Sequence, residues 1–350
     1  MTAKLLRFAL LPWWLVQVLT TGKSFKDNPI IGNRWLNRWG LHVWRIRLAH
    51  AITRLRWWVL SPLVSREHRR QLDEQGFVQI ENFLPEAEFQ RLRAELLALD
   101  RPDAPGEVRE CIQGDTLTLV MLLDRGTLAA LPACRALVRN TTFRRLCMYG
   151  GAHLKAPLVF AQTVKNQYVP GGADPQKDFH SDTFHPTMKA WLFIDDVDDT
   201  NGPFTFVPGS HRPTPERLEW EYAQSLIASG AAGEGNRYSA KGSLRLEEKD
   251  LAAMGLPPPI SFKVKGNTLV VANTHGFHRR GSATGRSSRL AIYASSRSNP
   301  FNPFPGLAPA LVGEMEAQLL KASWRILDRK ARRRGYLSSW HLVPSGKLYE

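Results

Sequence analysis

Along this 350-residue chain the apolar and polar positions change rhythm near Gly76. FVQIENFL (77–84) alternates like a strand, and Pro85-Glu86-Ala87 then opens a helix through RLRAELLAL to about Leu99. Residues 101–115 read as an acidic loop bearing Pro and Gly. LTLVMLL (117–123) is a short apolar strand or the start of a helix, and 126–149 reads as one or two helices. From Pro157 strand patterns dominate: PLVFAQTVKNQYV, MKAWLFIDDV, PFTFVPG, ISFKVKGNTLVVAN and RLAIYASSR. A helix over Pro215–Ala228 and a Gly/Ser-rich loop over Gly230–Gly242 separate the third from the fourth, and helix returns at 313–334. The expected class is α+β with a mainly β core, a sandwich or barrel with flanking helices.

Before Gly76 the pattern differs. Phe8–Leu19 is apolar but only twelve residues long, and Pro12 and Gln17 interrupt it. A spanning helix needs about 20 apolar residues, and no A-x-A-like cleavage site follows, so neither a transmembrane span nor a secretory signal is expected. Residues 35–58 place Trp, Leu, Val and Ile among Arg at near-helical spacing. Seven of the 11 tryptophans lie in this N-terminal segment: Trp13, Trp14, Trp35, Trp39, Trp44, Trp57 and Trp58.

Charge sharpens that contrast. The formal net charge is +15, with 47 Lys and Arg against 32 Asp and Glu. Residues 1–70 hold 13 basic residues against two acids, and residues 321–334 hold seven against one, so the rest is near neutral. Trp at the membrane–water interface and Lys/Arg near anionic headgroups fit a helical, basic extension over 1–65 that anchors peripherally to an anionic membrane. The expected contacts are residues 1–60 and 321–334. The alternative is a helical subdomain that packs its Trp onto the body and leaves Arg in solvent. Nucleic acid is an unlikely partner, because no helix-turn-helix, RRM or zinc pattern accompanies the charge. Three cysteines without CxxC spacing exclude a disulfide scaffold and fit a reducing compartment, hence a cytoplasmic, non-secreted protein.

The chemistry concentrates in DFHSDTFH (178–185). On a strand His180 and Asp182 would point the same way. His278 follows 98 residues later in NTLVVANTHGFHRRG, at the end of another strand. Two His and one carboxylate on one face of a metal, with the other positions open, form the facial triad of non-haem Fe(II) oxygenases. Taken alone, an H-x-D is more often explained by chance or by satisfied core histidines. His185 and His275 read as pocket lining or packing, and His211 in the PGSHR turn as structural. The acidic run IDDVDDTNG (194–202) lacks the calcium-loop pattern and reads as a solvated turn.

The order HSD, then NGPFTFVPGSHR, then the distal His, then Arg289 in SSRLAIYASSR resembles the phytanoyl-CoA dioxygenase family of Fe(II)/2-oxoglutarate-dependent oxygenases. The resemblance begins with QLDEQGFVQIENFLPEAEFQRLRAEL and covers most of 66–298. It implies a double-stranded β-helix (a jelly roll, cupin-like) over 66–300, with a basic helix and tail over 301–350. It also implies Fe(II) held by His180, Asp182 and His278, with 2-oxoglutarate as cosubstrate and O2 as oxidant. Arg289 would clamp the distal carboxylate of 2-oxoglutarate, with Arg286 or Arg297 as alternatives. Asn166 or Gln162 would bond the cosubstrate's other end or serve as ordinary strand residues, and Trp191 matches an aromatic near the site. Retention of the Asp182 carboxylate points to hydroxylation rather than halogenation. The expected activity is hydroxylation of an unactivated C–H in a lipid-like or membrane-associated substrate. The alternatives are a soluble small-metabolite hydroxylase and a non-catalytic, membrane-associated binding protein.

Overall fold

A computed structural model describes residues 2–100, 103–172, 174–230, 236–306, 309–344 and 348, leaving aside the side chains of 2–9 and 309–311. In chain order the strands are β1 (Phe77–Ile80), β2 (Val108–Gln113), β3 (Thr116–Leu122), β4 (Leu158–Asn166), β5 (Met188–Phe193) and β6 (Phe204–Phe206). They continue with β7 (Ile260–Ser261), β8 (Thr268–Asn273), β9 (His278–Arg280), β10 (Ser287–Ser296) and β11 (His341–Val343). One sheet has the order β1-β8-β5-β10-β4-β3-β2-β11 and the other the order β7-β6-β9. Every strand pair is antiparallel. Phe77, Phe193 and Val270 of the large sheet meet Phe204 and Phe206 of the small one in a shared apolar cluster. This is the mainly β, two-sheet core that the sequence predicted.

Strand alternation divides the large sheet into two faces. Leu117, Leu119 and Met121 of β3, Val159 and Ala161 of β4, Ala190 and Leu192 of β5, and Leu290 and Ile292 of β10 face one way. There they pack against Phe89 and Leu92 of the helix Glu86–Leu97 and Phe143 and Leu146 of the helix Thr141–Gly150. The alternate residues of β3, β4, β5 and β10, among them Gln162, Lys189, Trp191, Arg289 and Tyr293, line a cavity on the other face. Because the period is two, burying the apolar set on the helix side directs the intervening polar residues into the cavity.

Several boundaries differ from the sequence reading. The segment 101–115 is not all loop: β2 occupies Val108–Gln113 and pairs along its length with β3. Arg109 explains the difference, since this charge on a strand is buried against partners from the distant C-terminal segment. The stretch 126–149 holds three short helices (Arg125–Ala129, Pro132–Arg139, Thr141–Gly150) because Pro132 and Asn140 each restart the chain. The helix Pro215–Ala228 is as expected, whereas the 313–334 helix begins earlier, at Pro309, and ends at Arg332. Of the expected Gly/Ser-rich loop, residues 231–235 lie outside the described residues, and Arg237–Ala240 form a short helix.

The N-terminal extension packs on the body, but Arg and Trp divide between its two faces rather than separating as the sequence alternative expected. The helix Leu41–Leu60 buries His42, Arg45, Ile46, Ala49, His50, Thr53 and Arg56. Its outward face carries Trp44, Arg47, Arg54, Leu55, Trp58 and Val59. Arg45 is accommodated because Nε donates to Val18 O at 2.8 Å and the guanidinium lies 4.0 Å from the Phe184 ring centroid. Arg56 Nη1 donates to Ser298 Oγ and Asn299 O. His42 Nε2 lies 2.8 Å from Glu221 Oε2, and Glu221 pairs with Arg217 on the helix Pro215–Ala228. Of the tryptophans, Trp57 packs inward, donating to Tyr149 O at 2.7 Å, whereas Trp39 and Trp58 are 75% and 74% exposed. Lys4 and Arg7 of the expected membrane contact have side chains outside those described. No helix among the described residues is long and apolar enough to cross a membrane.

Candidate metal centre

His180, Asp182 and His278 each offer a ligand atom, and these atoms lie within 4.8 Å of one another. The geometry is not that of two neighbours on one strand. His180 sits in an isolated bridge to His278 and Arg245, and Asp182 lies in a bend. His278 does not end the strand NTLVVAN either; it opens β9 of the smaller sheet, with four residues between it and β8. Reciprocal backbone hydrogen bonds of 3.0 Å between His180 and His278 hold the two segments together. Asp182 N donates to Thr274 O, also at 3.0 Å, which brings in the third donor.

Hydrogen bonding fixes which imidazole nitrogens are available. His180 Nδ1 lies 2.8 Å from Asp178 O, and His278 Nδ1 lies 2.9 Å from Gly276 O. A carbonyl only accepts, so each Nδ1 carries the hydrogen and each Nε2 presents its lone pair. Both Nε2 atoms are buried without a hydrogen-bond partner. Burial, and for His180 the neighbouring His278, hold both rings below the ordinary imidazole range, His180 well below it and His278 at about 4. Burial pushes the Asp182 carboxyl up, but Lys189, His278 and Arg297 outweigh it and hold the group well below its usual value. Two neutral imidazoles and one ionised carboxylate converging on one point are the donor set a divalent transition metal requires, and these residues fit Fe(II).

The cavity beside this centre has a volume of about 610 Å³. Arg289 reaches it from β10, buried, with Nη1 lacking any hydrogen-bond partner. Burial pulls its guanidinium down to about 9, so it stays cationic at neutral pH. Gln162 and Trp191 also line the cavity. Asn166 does not: its Nδ2 donates to Asn201 O at 3.0 Å and to Ser287 Oγ at 3.3 Å, tying β4 to the loop before β6. His185 and His275 are buried near the centre but stand outside the ligand group, each with Nδ1 on a backbone carbonyl. His211 packs under Gly76, whose φ is +88°; a Cβ there would lie 2.5 Å from His211 Nδ1.

Residues 72–242 match the phytanoyl-CoA dioxygenase (PhyH) family. Over those residues the chain is similar to that family. The match holds His180 and Asp182 and stops before His278 and Arg289, which the tertiary structure supplies. Among solved structures, the non-haem alpha-ketoglutarate-dependent carbocyclase SnoK from nogalamycin biosynthesis is 19% identical, covering 66% of this chain and 83% of its own at a TM-score of 0.42. HygX from Streptomyces hygroscopicus, with nickel, 2-oxoglutarate and hygromycin B bound, is 17% identical over 66% of this chain and 86% of its own, at 0.38. EctD from S. alaskensis with bound Fe is 15% identical over 67% and 77%, at 0.42. No curated protein matches the chain.

The sequence reading missed three contributors. Lys189 lies between Met188 and Ala190 on β5 and places Nζ 2.7 Å from Asp182 Oδ2. Lys23, from the N-terminal extension, donates to the Asp182 carbonyl. The C-terminal segment, expected to lie outside the catalytic body, walls the cavity with Leu320, Trp324 and Trp340. Only Lys189 had a legible signal, a lone cation in the apolar strand MKAWLF whose parity matches Trp191.

Proposed function

We propose that this protein is an Fe(II)- and 2-oxoglutarate-dependent dioxygenase that hydroxylates an unactivated C–H of a lipid-like, membrane-associated substrate. The observation that carries the chemistry is the convergence of the unpartnered Nε2 atoms of His180 and His278 on the Asp182 carboxylate. Ferrous iron, when bound with 2-oxoglutarate and O2, supplies the oxidant for hydroxylation. His180, Asp182 and His278 would hold it, beside the cavity from which cosubstrate and substrate would reach it.

Arg289 binds the distal carboxylate of 2-oxoglutarate, since a buried guanidinium whose Nη1 has no hydrogen-bond partner among the described residues is stabilised by a bidentate anion. Gln162 offers an amide to the cosubstrate from the same cavity face. Asn166, already bonded to the 201 loop, positions β4 instead. Trp191 packs between Phe204 and Tyr293 at ring distances of 4.5 and 5.9 Å and keeps water from the reacting atoms. The outward Trp and Arg residues of the helix Leu41–Leu60 support peripheral contact with an anionic bilayer.

The test is 2-oxoglutarate turnover with ferrous iron, read as succinate. His180→Ala and Asp182→Ala are expected to abolish it, and turnover equal to that of the unaltered protein would refute the assignment.

A further inference from the structure

The lining of the cavity is lopsided in charge. Among the described residues it includes Lys189, Arg279, Arg280, Arg289 and Arg297, and no Asp or Glu. Two of these cations are paired away from the reacting centre: Arg280 with Asp174 at 2.6 Å and Arg279 with Glu248 at 3.5 Å. Arg289 is taken by the cosubstrate in the reading above. A divalent metal, the Asp182 carboxylate and a dianionic cosubstrate together carry about one negative charge, which Arg289 balances. Lys189 and Arg297 remain. Among the described residues no acid pairs with Arg297. Lys189 pairs with Asp182 at 2.7 Å, and Arg297 lines the cavity two residues past Ser295, the register partner of Lys189, which places both on the metal side of the cavity.

β10 explains how one strand reaches two anion sites. Its cavity-facing residues run Arg289, Ala291, Tyr293 and Ser295, and Arg297 continues the alternation just past the strand end. Eight residues of extended chain span about 27 Å, so the two guanidinium groups enter the cavity lining from opposite ends of β10.

The apolar lining is equally ordered. Rings follow one another from the ligand His278 to Phe204 (5.8 Å), Trp191 (4.5 Å), Tyr293 (5.9 Å), Phe160 (5.9 Å) and Trp324 (6.5 Å). Trp324 belongs to the C-terminal helix, and Trp340 follows in the tail, both beyond the family match. Buried Arg109 fixes this outer wall, donating to Asp328 Oδ2 at 2.9 Å and Trp340 O at 2.8 Å with its guanidinium 4.7 Å from the Trp324 ring centroid. A cavity floor that continues as aromatic surface into a braced C-terminal segment is suited to an elongated apolar body.

We propose that Arg297 and the C-terminal wall form a substrate subsite for an anionic amphiphile. Its phosphate or carboxylate pairs with Arg297 beside Lys189, and its apolar body lies along the rings that end on Trp324 and Trp340. The position of the reacting carbon rests on the oxygenase reading, whereas the subsite itself consists only of residues of this chain.

The experiment measures binding by tryptophan fluorescence on the full chain, metal-free and again with ferrous iron and 2-oxoglutarate under argon. The probes, all below micelle concentration, are decyl phosphate, decyltrimethylammonium and methyl phosphate. Decyl phosphate is expected to bind at least about tenfold tighter than either of the others. Arg297→Ala should weaken it about tenfold or more, and Arg297→Lys about threefold, while 2-oxoglutarate affinity shifts less than about threefold. Trp340→Ala should weaken decyl phosphate about fivefold without altering methyl phosphate. Equal binding of the ammonium amphiphile would overturn the proposal, as would methyl phosphate binding as tightly as decyl phosphate. So would an Arg297→Ala chain that loses as much affinity for 2-oxoglutarate as for decyl phosphate, because Arg297 would then be the cosubstrate clamp. Binding to the metal-free chain is read independently of succinate formation, so the subsite and the oxygenase reading stand or fall separately.

Discussion

Lys189 Nζ lies 2.7 Å from Asp182 Oδ2, an ion pair at the edge of the cavity between neighbouring elements of one site. With a metal on the other carboxylate oxygen, Lys189 would hold Asp182 in the orientation that ligation needs, as outer partners of metal ligands do. Lys189→Met is therefore expected to weaken Fe(II) or Co(II) affinity by about tenfold. Titration of the visible Co(II) bands measures this, and unaltered affinity would show that the pair is not needed to orient the ligand.

Arg109 connects β2 to the C-terminal segment through Asp328 and the Trp340 carbonyl. Arg109→Met removes the donor to Asp328 Oδ2 and to Trp340 O, leaving Asp328 only its bond from Ser338 Oγ among the described residues, at a cost of about 3 kcal/mol. The loss should appear in chemical denaturation, and trypsin should cut among Arg329, Lys330 and Arg332 sooner than in the unaltered chain. Identical cleavage rates would mean that the segment is held by other contacts.

Acid should destabilise the fold well above the carboxylate range. Burial pulls His50, His153 and His211 down to about 3 in the folded chain, from an ordinary value of 6.5. For a base with a depressed folded value the unfolded chain binds the extra proton, so stability is complete above about pH 6.5 and declines as pH falls toward 3. Each histidine costs about 2 kcal/mol by pH 5. The urea midpoint should drop steeply between pH 7.5 and pH 5, and a flat midpoint over that interval would contradict the neutral burial of these rings.

Membrane contact is expected through the outward face of Leu41–Leu60, which carries Trp44, Arg47, Arg54 and Trp58 and no acid. The full chain should co-sediment with vesicles containing anionic phospholipid at low salt, and less so at 0.5 M salt, roughly as screening predicts. Replacing both Trp44 and Trp58 by Ser should reduce binding about tenfold. Recovery of the unaltered chain in the supernatant at low salt would remove this face as an anchor.

The alternation of KAWLF and RLAIYAS puts Lys189 with Trp191, and Arg289 with Tyr293, on one side of a sheet, because a strand's side-chain period is two and the apolar set must be buried, although the sequence reading did not draw Lys189 from it. The sequence also marked His180, Asp182 and His278, since few residue types ligate iron and their order is distinctive. Their spacing did not reveal the geometry. His180 and Asp182 converge without a regular strand, through hydrogen bonds to His278 and Thr274 contributed from nearly a hundred residues away.

The basic ends show the limit of reading charge along the chain. By itself the sequence determined that the N-terminal segment and the 321–334 stretch are cationic around a near-neutral body, and that the first is rich in tryptophan. Only the tertiary structure decided that Arg45 and Arg56 turn inward to backbone carbonyls, that Trp44 and Trp58 turn outward, and that Trp324 and Trp340 close the cavity. Helical spacing groups residues onto a common face but does not say which face is covered. That depends on whether unpaired carbonyls and carboxylates elsewhere in the chain are placed to satisfy a buried guanidinium, and such partners are set by long-range packing.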